Sequence, residues 1–388
     1  MKKRRYNEEA SHRNSMIPYG KQCIDDTDIR AVEEVLRSDW LTTGPMIQAF
    51  EEGVSDFVGS KYAVAVCNGT AALHCAMYAI GVGPGDEVIL PPMTFAATAN
   101  AVIYQGGIPV FSDIEADTLL IDPEKIERKI TSRTKAIVAV DYAGQPCDYK
   151  RLRPLAKKHN LVLIADGCHG LGAEYQGKRV GAIADLTVFS FHPVKHITTG
   201  EGGMVTTDEE AYANRMRQFR NHGVASDFRT REKQSTFYYE MTDIGYNYRL
   251  SDIHAALGVS QLKKLPQFLQ KRTEIAHRYL DAFLMSPGVE TLCVNPDALH
   301  AWHLFVIKLV KKDRTEIFRR LRDRGIGVNV HYLPVYRHPY YQERFQSSAN
   351  QCEVAEGVYE KLLSLPIFPS MTQEMVETVI REVKELGG

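Results

Sequence analysis

The sequence predicts an α/β fold with a mostly parallel central sheet and a smaller C-terminal α+β domain. Three observations carry that expectation. Short apolar runs alternate with helical patterns from Tyr62 to Asp166. The runs are apolar at successive positions rather than every second one, as in strands covered on both faces. After Asp185 the rhythm changes, and strands and helices no longer alternate strictly. The chain has 388 residues, and a single core stops growing near roughly 250–300 residues, so two domains are expected. We place a mobile tail over 1–15, a large domain over 16–260 and a small one over 261–388.

The elements follow in order. "DIRAVEEVL" carries Ile29, Val32, Val35 and Leu36 at helical spacing, and a second helix is expected from about Met46 to Phe57, after the turn-rich "SDWLTTGP". "YAVAV" is a strand, and "GTAALHCAMYAIG" a helix stopped by glycine. "DEVIL" and "IPVFSD" are strands around a helix in "TFAATANAVIYQGG". A helix near Pro123 to Ile130, the strand "KAIVAV", a helix near Tyr149 to His159 and the strand "LVLIAD" complete the series. "LTVFSF" and "GGMVTT" lie a loop apart, which predicts an antiparallel pair. A helical stretch from about Leu250 to Leu284, interrupted at Pro266, connects to "WHLFVIKLV", "RTEIFRRLRDRG", "GVNVHYLP" and a last helix near Glu374 to Leu386.

Composition narrows the function classes. The hydrophobic fraction is 44%, the charged fraction 24% and the net charge −1. No strong field favours nucleic acid or an anionic membrane, and no apolar run approaches the length that spans a bilayer. Seven cysteines without CxxC spacing argue against a disulfide framework or a zinc site and fit a cytoplasmic location. The basic opening "MKKRRYNEEASHRNS" lacks the apolar region of a secretory signal.

"FHPVKHITTGEGG" puts Lys195 just after an apparent buried strand, and lysine is rarely buried unless it is paired or has chemistry to do. Ligands of open α/β sheets bind at the carboxyl ends of the strands. "LVLIA" delivers Asp166 to such an end, and "LTVFSF" brings Ser190 and then Lys195. In "CNGTAAL", Gly69 and Thr70 open a helix, and a helix N-terminus offers unpaired N–H groups to a phosphate. A phosphate site, a strand-end carboxylate and an amine are the parts that hold pyridoxal 5'-phosphate. Taken alone, each is a commonplace feature: a surface lysine, a helix cap, a turn. Their order along one sheet carries the argument. "GEGG" fits neither GxGxxG nor GxxxxGK[ST], and no GxGxxG follows the first strand, which counts against a dinucleotide enzyme. His192 and His196 are spaced i,i+4, but Pro193 intervenes and no HExxH glutamate is present, so no metal site is assigned.

With these residues in view, "NGTAAL", "PPMTFAATANA", "ADGCHGLGAEYQGKRVG", "FSFHPVKHITTGEGG", "FRNHG" and "GYNYRLSDIHAALG" together resemble the DegT/DnrJ-type sugar-nucleotide aminotransferases. The resemblance implies a fold-type I pyridoxal-phosphate-dependent transferase. It implies that Lys195 forms the Schiff base and shuttles the proton, and that Asp166 pairs with the ring nitrogen. Phe95 would stack on the ring and His169 would lie near its hydroxyl. Gly69, Thr70 and Ser190 would hold the phosphate. Asn247 would reach that phosphate from a second copy, making a homodimer with its active sites at the subunit interface. His331 and Tyr332 are the expected substrate contacts. Arg220, Arg249 and the segment 329–337 are candidates for the acidic groups of L-glutamate and a UDP-sugar. Relatives that remove a hydroxyl carry histidine where this chain keeps Lys195. "VDYAGQPCDY" and "VHYLPVYRHPYY" are most similar to the transaminases of pseudaminic acid synthesis, which aminate C4 of a UDP-4-keto-6-deoxy-N-acetylhexosamine. "WLTTGP" and "HAWHLF" are also similar to the aminotransferases that make UDP-4-amino-4-deoxy-arabinose. A non-catalytic pyridoxal-phosphate-binding regulator on the same fold is a further reading, and no DNA-binding appendage is visible to favour it.

Overall fold

The computed structural model describes residues 16–225, 231–232, 235–345 and 352–387; the expected tail over 1–15 lies outside them. Helix α1 (Asp26–Leu36) opens on a capping box between Asp25 and Asp28. Helix α2 (Pro45–Val58) starts on proline and stops on Gly59 at φ 80°. The alternation then runs β1 (Tyr62–Val66), α3 (Gly69–Ala79), β2 (Glu87–Leu90), α4 (Ala97–Tyr104), β3 (Ile108–Phe111), α5 (Pro123–Glu127), β4 (Thr134–Val140), α6 (Tyr149–Lys158) and β5 (Val162–Asp166). A short pair, β6 (Glu174–Tyr175) and β7 (Lys178–Arg179), precedes β8 (Leu186–Ser190), β9 (Gly203–Thr207) and α7 (Glu210–Phe219).

The seven-stranded sheet has the order β1-β9-β8-β5-β4-β2-β3. Five strands from β8 to β3 run parallel, and β9 pairs antiparallel with both β8 and β1. This is the mostly parallel sheet that the apolar runs predicted, with its one reversed strand where "GGMVTT" follows "LTVFSF". Residues such as Val64, Ile89, Val138, Ile164 and Val188 are fully buried, because helices cover both faces. Register sets the edge that matters. Ser190 and Val66 both lie opposite Gly203, and Asp166 lies between Val140 and Val188. The carboxyl ends of β1, β8 and β5 therefore open on one side.

Helix α8 (Asp252–Phe283) runs unbroken for 32 residues with Pro266 inside it, which corrects the expected interruption. Proline removes one hydrogen bond, to the carbonyl of Leu262, at a cost of about 3 kcal/mol. Packing on both sides of it offsets that loss, with Leu265 and Phe268 buried just around the proline. The N-terminal half of α8 packs on α1 and α2. A boundary between 260 and 261 falls within this helix. The remaining elements are β10 (Val289–Thr291), β11 (Ala298–Leu299), β12 (Phe305–Leu309), α9 (Arg314–Asp323), α10 (Pro339–Phe345), α11 (Glu353–Tyr359), β13 (Leu362–Leu365) and α12 (Gln373–Gly387). A small antiparallel sheet, β10-β12-β13, buries Phe305, Ile307 and Leu363 against Tyr279, Val379 and Val383. Two expected helices are shorter than their patterns. The Thr94 pattern becomes helical only at Ala97, after a turn in which Thr98 N–H bonds the Phe95 carbonyl. The Pro123 helix ends at Glu127.

Candidate active site

Helix α3 begins where β1 ends. Asn68 caps it, accepting from the Ala71 N–H at 2.8 Å. The first N–H groups of a helix have no partner within it, and those of Gly69 and Thr70 bond no other described residue. Ser190 lies against this opening. A Cβ on Gly69 would stand 2.9 Å from Ser190 Cβ. Gly203 allows the approach from the other side, since a Cβ there would stand 2.6 Å from the Asn68 carbonyl carbon and 2.9 Å from Gly69 N. The "GEGG" run is thus a point of close backbone contact, and it brings Gly69, Thr70 and Ser190 together.

Asp166 ends β5 at 5% exposure. Its Oδ2 accepts from Thr98 Oγ1 at 2.7 Å, and Thr98 in turn meets Thr94 Oγ1 at 2.7 Å. Its Oδ1 accepts from the Cys168 N–H at 3.3 Å. Lys195 is half-buried with its amine at the inner end, where Nζ is 3.5 Å from His303 Nε2. Burial lowers the Lys195 pKa below the usual lysine value; Cys168 and Asp166 oppose the shift, and Arg272 adds to it.

His169 is the third residue beyond the end of β5. Its Nε2 meets the Tyr332 hydroxyl at 3.1 Å, while its Nδ1 is buried without a partner. Its ring lies 4.3 Å from that of His303. His331 is held at both ring nitrogens, by Ser364 Oγ at 2.8 Å and Asn329 Nδ2 at 3.3 Å. His196 meets the Ala301 carbonyl at 3.0 Å through Nε2, while His192 is exposed. Burial pushes the pKa of His331 down to about 4 and holds His169, His196 and His303 well below the ordinary imidazole range. These rings are neutral at pH 7. Phe95 is 62% exposed, and its ring centre is 6.1 Å from that of Tyr332. An aromatic face beside a cleft, open to a flat partner, is what a stacking platform needs.

Asn247 stands apart from this group. Its side chain is exposed, and its backbone bridges Asn221 just beyond α7. Of the arginines, Arg220 is committed to Glu51 and to the Ala65 carbonyl, and Arg337 to Glu356 and Glu360. Arg249 donates to Asn221 Oδ1 at 2.8 Å. It lines a cavity of about 970 Å³ together with Thr42, Thr43, Gly44 and Arg217.

Thr98 and His303 lie inside "PPMTFAATANA" and "HAWHLF", but sequence reading did not single them out, and Arg272 lies in no motif. A signal was present for His303: a polar residue opening the otherwise apolar "HLFVI". Taken together, two unpaired N–H groups at a helix start, a buried carboxylate, an inward amine, an orphan imidazole nitrogen and an open aromatic face fit a flat heterocycle. That heterocycle would carry a phosphate, a basic ring nitrogen and a carbonyl, as pyridoxal 5'-phosphate does.

Comparison with known proteins agrees. The DegT/DnrJ/EryC1/StrS aminotransferase family model matches residues 22–384. The chain is 43% identical over 380 residues to the spore coat polysaccharide biosynthesis protein SpsC of Bacillus subtilis, covering 96% of this chain and 98% of that protein. The structure resembles that of Helicobacter pylori PseC, described as an aminotransferase involved in the biosynthesis of pseudoaminic acid. Identity is 37% and the TM-score 0.90, over 96% of this chain and 99% of that one. The PLP form of Spr1654 from Streptococcus pneumoniae matches at 31% identity and TM-score 0.90, over 96% and 98% of the two chains.

Proposed function

The chain belongs to the DegT/DnrJ/EryC1/StrS aminotransferase family and is a pyridoxal-phosphate-dependent sugar aminotransferase; from that premise we propose its substrates and the roles of its residues. The amino donor is L-glutamate. The acceptor is a UDP-4-keto-6-deoxy-N-acetylhexosamine, and the product is UDP-4-amino-4,6-dideoxy-N-acetyl-β-L-altrosamine, an intermediate of pseudaminic acid synthesis. The likeness to PseC supports this choice of sugar. The observation that carries the enzymatic reading is the inward Lys195 amine, its pKa lowered by burial, within electrostatic reach of the buried Asp166 carboxylate.

Bound pyridoxal phosphate supplies an electron sink for the bond broken at the amino-bearing carbon. The Gly69 and Thr70 N–H groups and Ser190 hold its phosphate, Asp166 its ring nitrogen, Phe95 its face and His169 its hydroxyl side. Thr98 orients the Asp166 carboxylate through the 2.7 Å hydrogen bond. A free lysine, with a pKa near 10.4, is a poor base at neutral pH. Burial lowers the pKa of Lys195, the direction that favours its neutral, proton-accepting form. Lys195 Nζ takes the proton from Cα of glutamate in the first half-reaction and delivers a proton to sugar C4 in the second, acting as general base and then general acid across the two half-reactions. His331 and Tyr332 contact the substrate. Arg249 and the cavity it lines meet acidic groups of the donor or the nucleotide.

The working unit is a homodimer in which Asn247 reaches the phosphate of the partner's site. In support, Phe237, Tyr238, Tyr239, Met241 and Ile244 expose 58–94% of their surface just before it, and a run of exposed large apolar side chains is what a partner subunit would cover. A cytoplasmic location agrees with seven free cysteines and with the absence, among the described residues, of a helix long and apolar enough to cross a membrane. A second reading, favoured by the 43% identity to SpsC, is amination of a different nucleotide-linked ketosugar for a surface polysaccharide.

The test is direct. Purified enzyme is assayed with glutamate and a panel of nucleotide-4-ketosugars that includes the altrose-type and arabinose-type substrates. The highest kcat/KM is expected on the altrose-type UDP-sugar, and a preference for any other sugar overturns that choice. Lys195→Ala is expected to abolish turnover; near-normal turnover by that variant refutes the assignment of Lys195.

A further inference from the structure

His303 is buried beside the Lys195 amine and has no role in the scheme above. It lies on the segment entering β12, and two backbone hydrogen bonds anchor that segment to the turn after β4. Ala301 N–H bonds the Gly144 carbonyl at 2.9 Å, and Leu304 N–H bonds the Ala143 carbonyl at 3.1 Å. Arg272, fully buried on α8, adds a third anchor. Its Nη1 donates to the carbonyls of Trp302, His303 and Ile367 at 3.2, 3.3 and 3.0 Å, while Nε and Nη2 have no partner. A buried guanidinium paired only with carbonyls is costly, and here it holds in place the main chain that carries His303.

The ring of His303 is equally constrained. It packs against His169 with centroids 4.3 Å apart and against His196 at 5.5 Å. Nε2 faces Lys195 Nζ at 3.5 Å, and Nδ1 is buried with no partner. A buried N–H without an acceptor is rarer than a bare acceptor, so the proton belongs on Nε2, pointing at the lysine nitrogen. The separation is at the long end for a hydrogen bond, as catalytic contacts often are before substrate binds.

We propose that His303 is a positioning residue for amino transfer: its Nε2–H holds the Lys195 amine in place, and Arg272 fixes the segment from which it does so. The proposal rests on the reading of Lys195 as the proton-moving group. Other charged and titratable groups act on the same amine. Asp166, Cys168 and His169 face it from the end of β5, His196 from its own loop, Arg272 from α8 and His331 from across the cleft. Asp166 favours the charged amine and Arg272 the neutral one. The His303 donor adds to the neutral side.

Three substitutions separate this role from packing. His303→Gln keeps a polar group near the Nε2 position, His303→Asn keeps one only near Nδ1, and His303→Leu keeps neither. Two readouts are taken. The first is kcat and KM of the holoenzyme across pH. The second is the rate at which acetic anhydride labels Lys195 in the cofactor-free full-length chain, followed by peptide mass spectrometry across pH. For the Asn and Leu variants kcat should fall with KM for glutamate nearly unchanged. Labelling below the midpoint should slow about two- to tenfold, as expected for one lost hydrogen bond. The Gln variant should restore both. Equal losses of kcat in all three variants with wild-type labelling would overturn the proposal, as would wild-type behaviour throughout. Turnover surviving in Lys195→Ala overturns the underlying reading instead. The two failures are told apart because labelling in the cofactor-free chain does not depend on turnover.

Discussion

Gly144 is the residue on which the two halves of the pocket close, and replacing it with alanine is the sharpest test of that geometry. Its φ is +103°, and an added Cβ would stand 2.9 Å from the His169 carbonyl oxygen, 2.9 Å from Trp302 N and 3.0 Å from His303 N. All three are main-chain atoms, so no side chain can rotate out of the way. A non-glycine residue at positive φ costs about 1–2 kcal/mol, and overpacking a tight site costs about 1–3 kcal/mol. The expected destabilisation of Gly144→Ala is therefore about 2–5 kcal/mol. An unfolding entropy of about 2.1 cal/mol/K per residue amounts to roughly 0.8 kcal/mol/K over 388 residues. Tm should fall by about 2–6 °C. Two controls separate the contributions. Gly177, at φ +77° with nothing within 4 Å, carries only the backbone strain, so its alanine variant should lose about 1–2.5 °C. Gly83, with ordinary φ and open space around it, should be unaffected. Calorimetric melting of the three variants measures this. Steady-state kcat adds the functional side, since the displaced atoms belong to the residues carrying His169 and His303. A Gly144→Ala protein that melts with Gly83→Ala and turns over normally would refute the claimed closure.

Two further outcomes are expected. Burial lowers the pKa of His74 and His331 to about 4 and of His300 to about 3, so between those values and about 6.5 the unfolded chain binds protons that the folded chain refuses. Stability should be full above pH 6.5 and decline as pH falls toward 4, each such histidine contributing up to about 1.4 kcal/mol per pH unit; urea midpoints that stay flat from pH 6.5 to 5 would contradict the burial of these rings. Thr98→Val removes the donor to Asp166 Oδ2 and should weaken retention of pyridoxal phosphate about tenfold, measured by fluorescence titration of cofactor-free protein. Unchanged affinity would show that Thr98 does not orient the carboxylate.

What was legible in the sequence was local. Continuous apolar runs such as "KAIVAV" and "LVLIA" announced covered parallel strands, and "GGMVTT" a reversed neighbour of "LTVFSF", because strand burial is written in consecutive residues. The placement of Lys195 and Asp166 at neighbouring strand ends was legible because each ends or follows such a run, and β5 pairs with β8. Pro266 misled, since the cost of one lost hydrogen bond is local while the packing that offsets it is not. Thr98, Arg272 and His303 were illegible for the same reason. Thr98 reaches Asp166 across 68 positions, Lys195 and His303 meet across 108, and Arg272 bonds the Ile367 carbonyl across 95. By itself the sequence determined which segments become strands and which strand ends bear a carboxylate, a hydroxyl or an amine, since both follow from neighbours along the chain. Which groups surround the amine, and whether they leave it neutral, was decided only by the packing of segments far apart in sequence. Burial and hydrogen-bond partners are properties of position in space.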